Sequence, residues 1–200
     1  MRGPEAAYPA GEPPLLGGVV VIRWWAAFAS LGAGIIHLAA VSEHAAHWWL
    51  YGVFFLVLGV GQIAWAVQAI EGGSLPDPRS YAALNAGVIG LWFVSRTTGL
   101  PVGPEPWTAE AVGTADLLCS ALEAVVVVLL VLTVRQPQVQ DSSALTKPQR
   151  RMVAIGAVGA AAVTLAALAA NPPVFGHAPH QPSDHSAEVI HDAGEQPPRV

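Results

Sequence analysis

Histidine, cysteine and carboxylate side chains are the groups in this chain able to hold a metal ion or move a proton, and those that stand out fall in two sets. His37, Glu43, His44 and His47 form the pattern HxxxxxEHxxH at the junction of two apolar runs. Imidazole nitrogens with one carboxylate suit zinc, copper, nickel or iron(II), and coordination geometry selects among them. The order is not the HExxH of a zinc protease, where two histidines one turn apart hold the ion beside a catalytic glutamate. If the two runs are antiparallel helices joined by a tight turn, His37 approaches the level of His47, and the four side chains are predicted to cluster. His177, His180, His185 and His191 share the last thirty residues with Asp184, Glu188 and Asp192, a composition that collects metal weakly.

The second set lies on a later apolar run. Asp116, Cys119, Ser120 and Glu123 fall within about 100° of arc on one helical face, and with Gln62 they outline a polar path into the apolar region. A carboxylate as deep as Glu123 must be protonated, paired or wetted, and an intramembrane ionisable group marks a functional site by default. Arg96 is the natural partner for Asp116, Glu110 or Glu43, through a planar fork that could lock two helices together. Each residue also has a plainer structural role: His37 as a hydrogen bond to a neighbouring helix, Arg96 as a clamp, Cys119 as a small apolar filler, the tail histidines as solvated chain. Cys119 is the only cysteine, which excludes an intrachain disulfide and any CxxC metal or redox pair.

The elements that carry these residues are membrane helices. Apolar residues make up 53% of the 200-residue chain and charged ones only 12%, the balance of a multi-span membrane protein. Crossing a hydrocarbon core takes about 20 helical residues, and five runs qualify: 19–41, 48–70, 80–100, 111–134 and 152–170. The third is the least apolar, since it carries Asn85. The reading is therefore an all-α, five-helix transmembrane bundle over 19–170. A Pro/Gly-rich head precedes it at 1–18, and a disordered His-rich tail follows at 171–200. Arg135, Lys147, Arg150 and Arg151 crowd the connection between the last two runs, and short loops rich in Lys and Arg stay cytoplasmic. That orientation puts the N-terminus inside and the C-terminus outside, with the histidines on the outer face. Residues 99–107 contain three prolines and are predicted to form a fixed cap between the third and fourth helices. Ala26, Ser30 and Gly34, then Gly52 and Gly59, are small residues at helical spacing that invite close approach of another backbone.

The strings GIIHLAAVSEHAAHWWLYGVFF and SRTTGLPVGPEPW resemble segments of uncharacterised multi-pass membrane proteins of actinobacterial type. The resemblance implies a bacterial plasma-membrane location and carries no activity with it. No phosphate-binding loop, nucleophile elbow or Rossmann glycine pattern is present, and no basic patch suits nucleic acid. Three functions from different classes follow: a protein that binds a transition metal at its outer face, with transport or hand-over of the ion as its extension, a non-catalytic accessory or sensor subunit of a membrane complex or homo-oligomer, and a b-type haem redox protein. A haem of that kind needs axial histidines facing each other across the bundle.

Overall fold

The structure, a computed structural model, describes residues 16–72, 75–134 and 145–170. The head at 1–15 and the tail at 171–200, with His177, His180, His185 and His191, lie outside the described residues. The described chain is helical, with α1 at Leu16–His47, α2 at Trp49–Glu71, α3 at Pro78–Thr97, α4 at Thr114–Val134 and α5 at Lys147–Ala170. Four of them, α1, α2, α4 and α5, are long and apolar enough to cross a membrane; α3 is not.

One boundary changes the geometry of everything that follows. The segment SEHAAH, residues 42–47 between the first two apolar runs, is helical, and α1 runs 32 residues without a break to His47. It contains neither proline nor glycine and is rich in alanine, so nothing in it opposes helix. The turn is Trp48 alone, in extended backbone at φ −159° and ψ 127°. His37 therefore stands ten residues before the end of α1, about 15 Å from the turn at the usual rise per residue.

The helices pack around small residues. A Cβ on Gly34 would lie 2.9 Å from the Gly59 carbonyl oxygen, and one on Gly52 would lie 2.9 Å from Ala45 Cα. The α1–α2 hairpin thus closes through glycine at two levels. On the opposite side of α1, the Trp25 indole covers Gly156 and donates to the Met152 carbonyl at 2.9 Å, which seats α5 parallel to α1. α3 packs closely on α4 and reaches the hairpin only through long side chains. Tyr81 stacks on Trp65 with ring centroids 4.2 Å apart, and its hydroxyl meets Ser30 Oγ at 2.7 Å.

Burial is inverted relative to a water-soluble bundle. The interior holds Ala26, Ala27, Ala33, Ala66 and Ala69, together with Ser30, His37, Gln62, Asn85 and Glu123. Large apolar side chains point outward, with Val158, Val57, Leu165 and Phe93 each more than 60% exposed. That surface needs hydrocarbon around it. Charges gather at the two ends. Arg23, Arg79, Lys147, Arg150 and Arg151 lie with Glu71 and Asp77 at one end, and Arg96 lies with Glu43, Glu105, Glu110 and Asp116 at the other.

Candidate functional site

Three residues with ligand-type side chains meet near the centre of the bundle. Cys119 and Glu123, four apart on α4, stack along one face. His37 lies one turn beyond Gly34 on α1, where the glycine contact brings α2 close enough for Gln62 to join. His37 Nε2 lies 3.1 Å from Glu123 Oε1 and 3.5 Å from Cys119 Sγ. The ligand atoms of all three lie within 4.8 Å of one another, and all three residues are buried. Glu123 is the tenth residue of the 21 in α4, so the group sits at the middle of the most apolar helix rather than near either end.

Neighbouring side chains hold the carboxylate. Gln62 Nε2 donates to Glu123 Oε1 at 2.9 Å and to Asn85 Oδ1 at 3.4 Å. Asn85 in turn donates to the Tyr81 carbonyl at 2.9 Å, and Ser30 Oγ donates to the Gln62 carbonyl at 3.0 Å. Four helices thus contribute to one polar network: Ser30 and His37 from α1, Gln62 from α2, Tyr81 and Asn85 from α3, Cys119 and Glu123 from α4. Two acceptors remain open within it. Gln62 Oε1 is buried without a partner, and Glu123 Oε2 makes no hydrogen bond among the described residues. A buried acceptor left unpaired is costly, and a cation or a water is what Gln62 Oε1 would accept.

The donor set fits a transition metal chemically. One imidazole nitrogen, one thiolate and one carboxylate is a borderline-to-soft set that favours zinc or another late first-row ion over magnesium or calcium. Bonds of about 2.0–2.3 Å around a tetrahedral ion place neighbouring ligand atoms about 3.3–3.6 Å apart. The His37–Cys119 and His37–Glu123 separations of 3.5 and 3.1 Å need only small adjustment to meet that geometry. Three protein ligands would leave one position for water or another exchangeable ligand.

The hairpin cluster of His37, Glu43, His44 and His47 does not assemble. Because α1 stays helical, His37 and His44 stand seven residues apart on one face, about 10 Å along the axis, and His37 turns to α4 instead. His44 Nδ1 lies 2.9 Å from the Ala40 carbonyl of its own helix, and its ring packs on Phe55 with centroids 4.0 Å apart. His47 stacks on Tyr51, and Glu43 is exposed. Among the described residues no two histidines face one another across the bundle, so a bis-histidine haem has no axial pair there.

The polar path divides in two. Ser120 is buried beside Cys119, while Asp116, one turn nearer the end of α4, belongs to a separate ion group. Arg96 Nη2 donates to Asp116 Oδ2 at 2.6 Å, and Nη1 bonds Glu110 Oε2. The Glu110 backbone N–H donates to the Ser95 carbonyl at 3.0 Å, which pins the connecting loop to the end of α3. That loop turns through left-handed backbone at Gly99, Gly103 and Trp107. It is tied to α2 by Tyr51, whose hydroxyl donates to the Val102 carbonyl at 3.1 Å.

Reading the sequence run by run missed the partnership of His37 with Cys119 and Glu123, and the parts of Asn85, Ser30 and Tyr81. The signal was present: each of the first four helices carries a strongly polar side chain near mid-length, and buried polar groups must find one another. No protein-family model, curated protein or solved structure matches this chain.

Proposed function

We propose that this is a five-crossing membrane protein that binds one transition-metal ion between His37, Cys119 and Glu123 at the bilayer midplane. The observation that carries the reading is the convergence of three buried ligand-type side chains within 4.8 Å, on two helices, α1 and α4, that are apolar enough to cross a membrane. α3 is the fifth crossing: its 20 residues span about 30 Å, a full hydrocarbon thickness, and it lies antiparallel to α4. The end bearing Arg23, Arg79, Lys147, Arg150 and Arg151 is cytoplasmic, on the preference of basic residues for that side. The N-terminus is then inside, and the C-terminal tail with its histidines is outside, in a bacterial plasma membrane. The open fourth position suits an ion that is handed on, and the tail offers weak sites for its capture.

The polar network also supports a second reading, an accessory membrane subunit in which the same bonds lock four helices together without an ion. Elemental analysis of the detergent-purified full chain separates the two. Metal binding predicts close to one equivalent of zinc or another late first-row metal retained after dialysis, and loss of it in Glu123→Gln and His37→Ala. Retention should also fall as the pH is lowered, because protons compete with the ion for its ligands. A correctly folded protein without retained metal, even after incubation with excess zinc, leaves the locking role.

A further inference from the structure

The wall between α3 and α4 is open at the Arg23 end. Ala82 and Ala86 of α3 face Val127, Val131 and Val134 of α4 across a groove of about 340 Å³. The groove forms because alanine carries only a methyl group, too short to meet the valines opposite. Its walls are apolar save for one group, Arg79, which stands at its end. Arg79 is exposed in the first turn of α3 and makes no hydrogen bond or ion pair with any described residue. The nearest acid in sequence, Asp77, is committed elsewhere: its carboxylate accepts from the Ser80 backbone N–H at 3.3 Å and lies 3.4 Å from the Ser80 hydroxyl.

We propose that this groove holds one acyl chain of an anionic phospholipid, with Arg79 on its phosphate. The two parts of the site match the two parts of such a lipid. From Arg79 to Ala86 is seven residues, about 10 Å, which reaches most of the way through one leaflet of a hydrocarbon core about 30 Å thick. A guanidinium at the headgroup level presents a planar fork that phosphate oxygens fill in pairs. Charge selects the lipid class, because no carboxylate among the described residues pairs with Arg79, and basic recesses between membrane helices favour anionic headgroups. The site is independent of the metal reading: it uses the opposite half of α4 from Asp116 and none of the three ligands.

The test is native mass spectrometry and thermal unfolding of the purified full chain with added phosphatidylglycerol or phosphatidylcholine. Phosphatidylglycerol should be retained as one bound lipid and raise the Tm, while phosphatidylcholine should do neither. Arg79→Ala should weaken the binding about fivefold, and Ala86→Phe, which fills the groove, should abolish it. Arg150→Ala, at the same end but away from the groove, should leave it unchanged. Inorganic phosphate should not stabilise the protein, because the acyl chain supplies most of the contact. Equal retention of the two lipids, or undiminished phosphatidylglycerol binding in both Arg79→Ala and Ala86→Phe, overturns the proposal.

Discussion

Glu123 is 1% exposed and accepts hydrogen bonds at a single oxygen from both His37 and Gln62. Removing a donor and removing the charge should therefore have different consequences. His37→Ala strips a buried carboxylate of one donor and leaves a cavity, and should lower stability by about 1–3 kcal/mol. With the metal stripped from both proteins, Glu123→Gln preserves shape and keeps an acceptor for Gln62, so its Tm should stay close to that of the metal-free parent. Thermal unfolding of both variants checks this, and an equal loss in the two would mean that the charge itself supports the fold. At the other ion group, Asp116 and Glu110 share Arg96 with side chains 27% and 48% exposed. The more buried partner should matter more. Asp116→Asn is expected to cost more than Glu110→Gln, Arg96→Ala about 1–3 kcal/mol, and Arg96→Lys to restore part of that loss, because ammonium lacks the fork. Chemical denaturation in detergent ranks the four variants. The identity of these groups is legible in the sequence, since a carboxylate, an imidazole and a guanidinium stand out against apolar runs. Their partnerships are less so. Arg96 is the only Lys or Arg at its end of the helices among the described residues, so its pairing follows from charge, whereas the partner of His37 depends on depth, and depth depends on where α1 ends.

Helix boundaries are the step at which the sequence reading lost the site. Apolar character falls off after Val41, which suggests an end to the span there, but backbone helix continues to His47 because an Ala-rich polar segment is still a good helix former. Hydropathy reports where lipid ends, not where the helix ends. The same distinction affects α3, which is too polar for a hydropathy criterion and yet forms a complete helix beside α4. Its polarity is concentrated where it meets other helices, through Tyr81, Asn85 and Ser95. The small-residue rows were easier to read, and they yield a comparison between glycines. Gly34→Leu has no room, since even a Cβ there lies 2.8 Å from Ile63 Cγ1 and 2.9 Å from the Gly59 oxygen. It should destabilise the hairpin by about 1–3 kcal/mol, and it should also loosen the placement of His37 against Gln62. Gly61→Ala and Gly87→Ala meet nothing within 4 Å and should be neutral or slightly stabilising, as alanine favours helix over glycine. Unfolding midpoints for the three variants test the packing; equal effects would mean that α1 and α2 do not close at Gly34.

At the scale of the whole molecule, the inverted burial, the band of exposed valine, leucine and phenylalanine, and the separation of charges between two ends describe one object, a bundle fitted to a bilayer. The proposed orientation has its own test. A reporter fused after Val200 should read as extracytoplasmic and one inserted at Ser142 as cytoplasmic; the opposite pattern would invert the molecule and place the tail histidines inside. The central claim, a metal held at the midplane, is most directly tested by adding cobalt(II) to the purified protein and recording its absorption. Cys119 is the only thiol in the chain, so a thiolate-to-cobalt charge-transfer band can come from no other residue, whatever the tail histidines bind. The account predicts that band at one equivalent, its loss in Cys119→Ser and its weakening in His37→Ala and Glu123→Gln. Cobalt bound without a thiolate band, or a band unchanged by His37→Ala and Glu123→Gln, would contradict it.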